Sequence, residues 1–300
     1  MSYVDPILAK SANESNPVKR VEALDKHYDR LRRYIKMVTR DEGRSLIING
    51  DAGMGKTEFA TDIIEEYAKR DNVACGFISG TMSAVGLYES LYHHRKEGQV
   101  LVIDDTDKIL ENTESLEVLK AATDNKKNPK LTWGKAYSAH LNKANVQTEF
   151  DYLGKVIIIT NKMLRTAPDK NPTITQQRVQ PLMSRVNYFR AGLPNNQWKI
   201  EAIKMFASGK SSEHSDAVYE LRCARHIRVS DEDKMTSAQN QMPHSISPKQ
   251  KEILDEIIAF MEEHRDELRE LSFRTVANII EIRNQEPDFW EDMTLANMGI

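Results

Sequence analysis

One segment of the 300-residue chain has the residue types and the spacing needed to hold phosphate groups. Residues 50–57 read GDAGMGKT, which is the pattern GxxxxGK followed by Ser or Thr. Glycines let the backbone curl so that successive N–H groups converge on phosphate oxygens, and the helix that follows points its positive end at the anion. Lys56 would reach the β- and γ-phosphates, and the Thr57 hydroxyl would bind Mg²⁺. The segment therefore predicts a site for ATP and Mg²⁺, made of Gly50, Asp51, Ala52, Gly53, Met54, Gly55, Lys56 and Thr57.

Two adjacent carboxylates follow an apolar run further along the chain. Residues 100–103 read VLVI and precede Asp104 and Asp105. A Mg²⁺ ion beside nucleotide phosphates needs a carboxylate at the end of a neighbouring strand, and Asp104 suits that role. Asp105 suits the general base that orients the attacking water. The alternative is that these aspartates only cap a helix, a position where aspartate is common.

Both groups follow short apolar runs, which predict the strands that position them. Residues 45–49, with the sequence SLIIN, end at the glycine-rich segment. Similar runs occur at 74–78, 100–103 and 156–159, with a weaker one at 186–189. Helical stretches separate them at 57–69, 83–95 and 114–123. This alternation predicts an α/β fold with a parallel sheet that has helices on both faces.

The composition changes along the chain and predicts three parts. Residues 1–20 are polar and predict a loosely ordered arm. Residues 21–194 contain the alternating strands and helices and predict the nucleotide-binding core. Residues 195–300 lack a strong strand pattern and predict a smaller helical domain, with a polar insertion at about 208–247.

Three further helices are predicted from apolar spacing and start signals. Residues 21–39 carry apolar residues at near-helical spacing. Ser247 and Pro248 open a helix, because serine suits the N-cap and proline suits the first helical position. Another helix, at about 273–284, follows Ser272.

Bulk composition narrows the classes of function. The net charge is −3 and the pI is about 6.3, so any contact with nucleic acid must come from a local basic patch. The two cysteines, Cys75 and Cys223, can form neither a disulfide framework nor a CxxC metal site. The polar start and the short apolar runs predict neither a signal peptide nor a membrane span. These features predict a cytoplasmic protein with no membrane partner.

These motifs resemble those of the AAA+ ATPases, and the resemblance covers most of the chain. Residues 155–161, KVIIITN, look like the strand that carries the polar sensor 1 residue of that family, which makes Asn161 the match. The resemblance implies ATP hydrolysis by a P-loop core with a small helical lid, in a homo-oligomeric ring that is most often a hexamer. Asp105 stands where the family usually has a glutamate, and its side chain is one methylene shorter.

The same resemblance points to an arginine ahead of the last core strand. Residues 181–186, PLMSRV, look like the segment in which ring-forming members carry an arginine that reaches the nucleotide of the neighbouring subunit. Arg185 is therefore the candidate arginine finger. It is alternatively an ordinary surface arginine, and its rivals for the role are Arg178 and Arg190.

A second arginine matches the lid of the family. Residues 271–275, LSFRT, look like the start of the sensor 2 helix, which places Arg274 near the γ-phosphate. Independently, Arg274 lies in the first turn of a predicted helix, where the helix dipole disfavours a cation. A bound anion would remove that conflict. The alternative is a solvated arginine that pairs with an acid such as Glu270.

A narrower resemblance is to AAA+ proteins encoded by bacteriophages. It is carried by GTMSA at 80–84, Leu87-Tyr88, the VLVIDDTD segment, LKAA at 119–122 and Thr132-Trp133. This resemblance implies a location in the cytoplasm of a bacterial host.

Lysines with interleaved aromatic residues occur between the acidic strand and the Asn161 strand. Basic side chains follow a nucleic-acid backbone, and aromatic rings stack on unpaired bases. The predicted contacts with single-stranded DNA are Lys126, Lys127, Lys130, Trp133 and Lys135. The alternative is a solvated lysine-rich loop in which Trp133 packs into the core.

Three functions stay open at this stage. The first is an ATPase of DNA metabolism, of the helicase-loader, clamp-loader or recombination-accessory kind, with single-stranded DNA or a replication or recombination protein as partner. The second is a protein-remodelling chaperone, although the segment 80–83 lacks the aromatic pore signature of such proteins. The third is an ATP-gated assembly switch in which Asp105 supports only slow hydrolysis.

Overall fold

We describe the protein from a computed structural model of the whole chain. The structure describes residues 4–40, 43–105, 107–134, 139–162, 164, 171–209, 221–229 and 246–298. The chain divides into two compact units. The first consists of Met1–Pro6, Arg30–Asp51 and Gly55–Gly192, and the second of Ile7–Asp29, Ala52–Met54 and Leu193–Ile300.

The strands of the described residues all belong to the first unit. In chain order they are β1 (Leu46–Asn49), β2 (Gly76–Ser79), β3 (Val100–Asp104), β4 (Lys130–Thr132), β5 (Glu149–Asp151), β6 (Lys155–Thr160) and β7 (Asn187–Arg190). Five of them form a parallel sheet in the order β2-β3-β6-β1-β7. The other two, β4 and β5, form a separate antiparallel pair.

Helices flank the sheet and complete both units. In chain order they are α1 (Pro6–Lys10), α2 (Pro17–Val38), α3 (Lys56–Asp71), α4 (Ala84–His93), α5 (Asp107–Glu111), α6 (Thr113–Ala122), α7 (Ala139–Lys143), α8 (Ile174–Met183), α9 (Asn196–Ala207), a 3-10 helix (Arg222–His226), α10 (Pro248–Glu263), α11 (Phe273–Gln285) and α12 (Trp290–Met298). In the first unit α3 packs against β3 and β6. No helix in the described ranges is long and apolar enough to cross a membrane.

The predicted α/β fold with a parallel sheet is confirmed. Its strands form where the chain has continuous apolar runs, because both faces of the sheet are covered and every residue of such a run can be buried. Leu46, Ile47 and Ile48 of β1 have no exposed surface. All five predicted strands are present, with ends that differ by one or two residues.

Strand register decides which side chains meet at the edge of the sheet where β1, β3 and β6 end. β6 lies between β1 and β3 and pairs with both. Asn49 is opposite Thr160, and Asp104 is opposite Ile159. Because the strands are parallel, the residues that follow β1, β3 and β6 emerge at the same edge of the sheet.

The predicted start of the helix at Ser247 and Pro248 is confirmed. Ser247 accepts a hydrogen bond from the backbone N–H of Gln250, and the Gln250 side chain accepts one from the Ser247 N–H. Two otherwise unpaired donors are thereby satisfied. The predicted helix at about 273–284 is also present, as α11.

The amino-terminal part of the chain differs from the predicted arm. Within residues 1–20 the structure has α1 and the first turn of α2, and Leu8 is fully buried. The Ala12 carbonyl accepts a hydrogen bond from the Trp198 indole at 3.2 Å, and Arg20 pairs with Glu201 at 2.9 Å. These contacts with α9 hold a segment whose composition alone favours disorder. Most of the predicted polar insertion at 208–247 lies outside the described residues.

Candidate functional site

The glycine-rich segment forms the turn between β1 and α3. Gly53 and Gly55 have φ angles of 69° and 82°, a left-handed conformation that glycine adopts without a steric penalty. Gly50 lies so close to the segment that follows β7 that a Cβ would be 2.7 Å from the Gly192 nitrogen. The helix α3 begins directly after Gly55, at Lys56. Local backbone geometry thus explains why the pattern needs glycine at these positions.

Lys56 is the most constrained cation of the site. It is only 5% exposed. Its ammonium donates hydrogen bonds to the Gly50 carbonyl at 2.9 Å, the Asp51 carbonyl at 2.5 Å and the Asn161 side-chain oxygen at 2.8 Å. Three acceptors match the three protons of the ammonium group. Two residues predicted independently, Lys56 and Asn161, are therefore brought into direct contact.

Thr57 and Asp104 also meet. The Thr57 hydroxyl donates a hydrogen bond of 2.9 Å to a carboxylate oxygen of Asp104. Asp104 is half-buried, and this burial raises its pKa although the Thr57 hydrogen bond opposes the rise. The pair offers two oxygen ligands of the kind that Mg²⁺ prefers.

Thr57 and Asp104 together suit Mg²⁺, which needs few protein ligands, better than a metal ion whose ligands all come from the protein. Among the described residues no three His, Cys, Asp or Glu side chains gather into a metal site. Mg²⁺ is commonly bound through one or two protein groups, with water and substrate phosphates as its other ligands. Thr57 and Asp104 would supply these two groups.

Asp105 adopts an unusual backbone conformation at the end of β3. Its φ angle is 49°, in the left-handed region, and its side chain is exposed. Aspartate tolerates this region better than most residues with a Cβ. Asp107, the next aspartate along the chain, instead accepts a hydrogen bond of 2.5 Å from the Thr160 hydroxyl. Of the two carboxylates, Asp105 is the more exposed to solvent.

Asn49 is a positioning residue that sequence reasoning missed. It is the last residue of β1 and is fully buried. Its amide nitrogen donates to the carbonyls of Thr160 and Lys162, on either side of Asn161, and its oxygen accepts from the Tyr188 hydroxyl. The available signal was a polar residue that ends an apolar strand just before the glycine-rich segment.

Arg185 lies at the opposite edge of the sheet from Lys56. It follows α8 and precedes β7, and its guanidinium donates to the Pro181 carbonyl at 2.5 Å. β7 runs parallel to β1, with Arg190 opposite Asn49. Four strand residues at about 3.3 Å each therefore separate the two edges by about 13 Å. The rival Arg190 is at the same edge as the glycine-rich segment, whereas Arg185 is not.

Arg274 is exposed in the first turn of α11. Phe273 precedes Arg274 in the chain. Within the second unit, the backbone N–H of Phe273 donates a hydrogen bond of 2.9 Å to the Gly53 carbonyl. A Cβ on Gly53 would lie 2.5 Å from the Cβ of Ser272. The tip of the glycine-rich segment is thus in contact with the residues next to Arg274.

The predicted nucleic-acid contacts have different surroundings. The Trp133 ring packs on the Tyr88 ring, with 5.3 Å between centroids, and Lys130 pairs with Glu149 across β4 and β5. Lys126 and Lys127 are exposed. Lys135 lies outside the described residues.

Comparison with known proteins gives a similarity to a phage protein over about half of the chain. No protein-family profile matches the chain. The chain is similar to a protein of Enterobacteria phage T4 described as the uncharacterized 36.7 kDa protein in the nrdC-mobD intergenic region. The two are 33% identical over 154 residues, which is 51% of this chain and 46% of the phage protein. The chain thus spans about half the length of this relative, and the similarity shows neither a family nor an activity.

The raised pKa of Asp104 has a consequence for stability. An acid with a raised pKa in the folded state lowers stability above that pKa, and the cost disappears as the pH falls and the group is protonated. Asp104→Asn keeps the size of the side chain and an acceptor for Thr57. At neutral pH without nucleotide, this variant should therefore unfold at a higher temperature than the wild type. The difference should shrink as the pH is lowered to about 4.

Asp71→Asn is the matched control for this measurement. The hydrogen bond from Arg70 lowers the pKa of Asp71, so the control should not raise the unfolding temperature. An Asp104→Asn variant that melts below the wild type at neutral pH would contradict the electrostatic account of the site.

Proposed function

We propose that the protein binds ATP with Mg²⁺ at Gly50–Thr57 and hydrolyses it, as an ATPase of the P-loop, AAA+ type. The observation that carries this proposal is the contact of the Lys56 ammonium with Asn161 beside the Thr57–Asp104 pair. A cation, a polar amide and a hydroxyl–carboxylate pair converge at the edge where β1, β6 and β3 end. These groups are part of the set that phosphoryl transfer to water uses.

Binding begins with an exchange of acceptors by Lys56. Its present acceptors are two neutral carbonyls and a neutral amide. Phosphate oxygens carry negative charge and form stronger hydrogen bonds to an ammonium group. The phosphates therefore displace at least some of these acceptors, and the Asn161 amide becomes free to contact the γ-phosphate or the attacking water.

Hydrolysis then needs a base and neutralisation of charge. Asp105 accepts the proton of the attacking water as its oxygen bonds to the γ-phosphorus, and the bond from that phosphorus to ADP breaks. Thr57 and Asp104 would hold the Mg²⁺ ion, which would supply neutralisation of charge on the phosphates. Arg274 is proposed as the cation that the same chain adds at the γ-phosphate.

The position of Arg185 favours action between chains. Since Arg185 and the glycine-rich segment are at opposite edges of one sheet, an arginine finger at this position acts on the nucleotide of a neighbouring copy. We therefore propose a homo-oligomeric ring, most simply a hexamer. An arginine supplied in this way contributes about 10³–10⁵ in rate.

A second candidate function is an ATP-gated assembly switch. It is favoured by the short Asp105 side chain, held at a φ angle of 49°. Such a protein would bind ATP, assemble, and hydrolyse it slowly. The similarity to a phage protein supports a phage setting for either function, in the cytoplasm of the bacterial host.

Turnover measurements on two aspartate variants test the proposed base. Asp105→Asn should bind ATP with nearly wild-type affinity and lose about 10²–10⁴ in turnover, because the general base is removed. Asp107→Asn is the control, since its carboxylate is already bonded to Thr160. Wild-type turnover by Asp105→Asn would show that the base lies elsewhere. A very low wild-type rate would favour the assembly switch.

Mixing inactive variants tests the assembly. Lys56→Ala mixed with Arg185→Ala should recover activity, because some interfaces pair an intact Lys56 with an intact Arg185 of a neighbour. Lys56→Ala mixed with Arg274→Ala should recover none, because Arg274 acts on the nucleotide of its own chain. Specific activity of the wild type should rise with protein concentration. Failure of both the recovery and the concentration dependence would mean that the active unit is a monomer.

A further inference from the structure

A cavity of about 280 Å³ opens at the amino-terminal edge of the parallel sheet. Its wall includes Ser45, which precedes β1, Gly98, which precedes β3, and Lys155, the first residue of β6. The glycine-rich segment and Asp104 lie at the other ends of these strands. The five residues of β3 separate the two edges by about 16 Å. The cavity is therefore distinct from the candidate nucleotide site of the same chain.

The cavity wall carries an excess of positive charge. Its cationic residues in the described ranges are Arg40, Arg44, Lys126, Lys127, Lys155 and Arg185. Its two carboxylates are Glu97 and Asp124. Asp124 pairs with Lys126 at 3.4 Å, while Arg40, Arg44 and Lys127 form no ion pair with the described residues. Asp41 and Glu42 lie outside the described residues, so the cations and carboxylates named above are those of the described wall.

A concave wall with one predominant sign of charge attracts ions of the opposite sign. Cations gathered around a cavity repel one another, and the surrounding protein focuses their field into the opening. Half-burial lowers the pKa of Lys155, with a smaller opposing effect from Glu97. An anion in the cavity would relieve both the repulsion and the cost of burying the Lys155 ammonium.

We propose that this cavity binds the phosphodiester backbone of single-stranded nucleic acid. Arg40, Arg44, Lys126 and Lys127 are long, exposed cations that can contact successive phosphates. A duplex is too wide to enter a cavity of this volume, whereas a single strand can enter it. The cavity wall includes Lys126 and Lys127, which the sequence predicted to contact DNA. It also includes Arg40 and Arg44, which come from a distant part of the chain.

The cavity contacts phosphates and does not stack on bases. Tyr152 is the aromatic residue of its described lining, and it is 1% exposed with its hydroxyl bonded to the Lys155 carbonyl. Trp133, the ring predicted to stack, packs on Tyr88 instead. Binding should therefore depend strongly on salt and little on base sequence.

Binding of a fluorescein-labelled oligothymidylate, measured by anisotropy over a range of salt concentrations, tests the proposal. The wild type should show a steep negative slope of log affinity against log salt. In Arg44→Gln/Lys127→Gln the slope should be shallower by about 1.4, because each lost phosphate contact on a single strand removes about 0.7. Arg185 is left intact, since it is also the candidate arginine finger.

Two further variants keep the result interpretable. Lys26→Gln/Arg269→Gln removes the same charges from exposed positions of the second unit and should leave the slope unchanged. Asp124→Asn removes a carboxylate from the wall and frees Lys126, so it should bind the strand more tightly. A gain in affinity is opposite to the result expected if a variant simply loses folded protein. A duplex of the same length should bind more weakly than the single strand.

The proposal is overturned by a wild-type slope in Arg44→Gln/Lys127→Gln, or by unchanged affinity in Asp124→Asn. ATP turnover is measured on the same samples and should be unaffected by the double variant at fixed protein concentration. Arg44→Gln/Lys127→Gln could instead lose the dependence of turnover on protein concentration while its salt slope for DNA binding stays unchanged. The cavity would then be a contact for a neighbouring copy, and the proposal would again be overturned. Wild-type protein that binds DNA as expected but does not hydrolyse ATP would reject the proposed function alone.

Discussion

The organisation of the candidate site depends on one buried ammonium group. Lys56 is almost fully removed from solvent and is stable there because two loop carbonyls and the Asn161 amide accept its protons. A buried charge without such partners would cost several kcal/mol. The same hydrogen bonds fix the glycine-rich turn to the end of β6. Any ligand that competes for this ammonium therefore acts on both the turn and Asn161.

The strand order makes this arrangement possible. β6 separates β1, which leads into the turn, from β3, which ends in Asp104, so that Asn161 emerges between the cation and the acid. Asn49 fixes the end of β6 through hydrogen bonds to the carbonyls on both sides of Asn161. The amino-terminal edge of the same sheet carries the basic cavity. One sheet thus carries two candidate sites, at opposite ends of its strands.

Sequence reasoning was strongest where a signal is local. The buried strands form continuous apolar runs, and Ser247 caps its helix through a residue three positions away. It was weakest where partners are distant in the chain. The strands β4 and β5 have three residues each, too few for a pattern, and Leu8 is fully buried in a segment whose composition favours disorder. Likewise, no sequence pattern places Arg44 beside Lys127, whereas the GxxxxGKT spacing predicted the residues of the turn directly.

An equilibrium titration with fluorescent ATP and Mg²⁺ measures whether the Lys56 charge binds nucleotide phosphates. Lys56→Ala should lower affinity by about 10- to 100-fold, the effect of losing a charged hydrogen bond of about 1.5–3 kcal/mol, while a thermal melt confirms that it is folded. Asn161→Ala is the matched comparison. It removes a neutral acceptor and leaves the Lys56 charge in place, so its affinity should fall far less than that of Lys56→Ala. Unchanged affinity in folded Lys56→Ala would contradict the account.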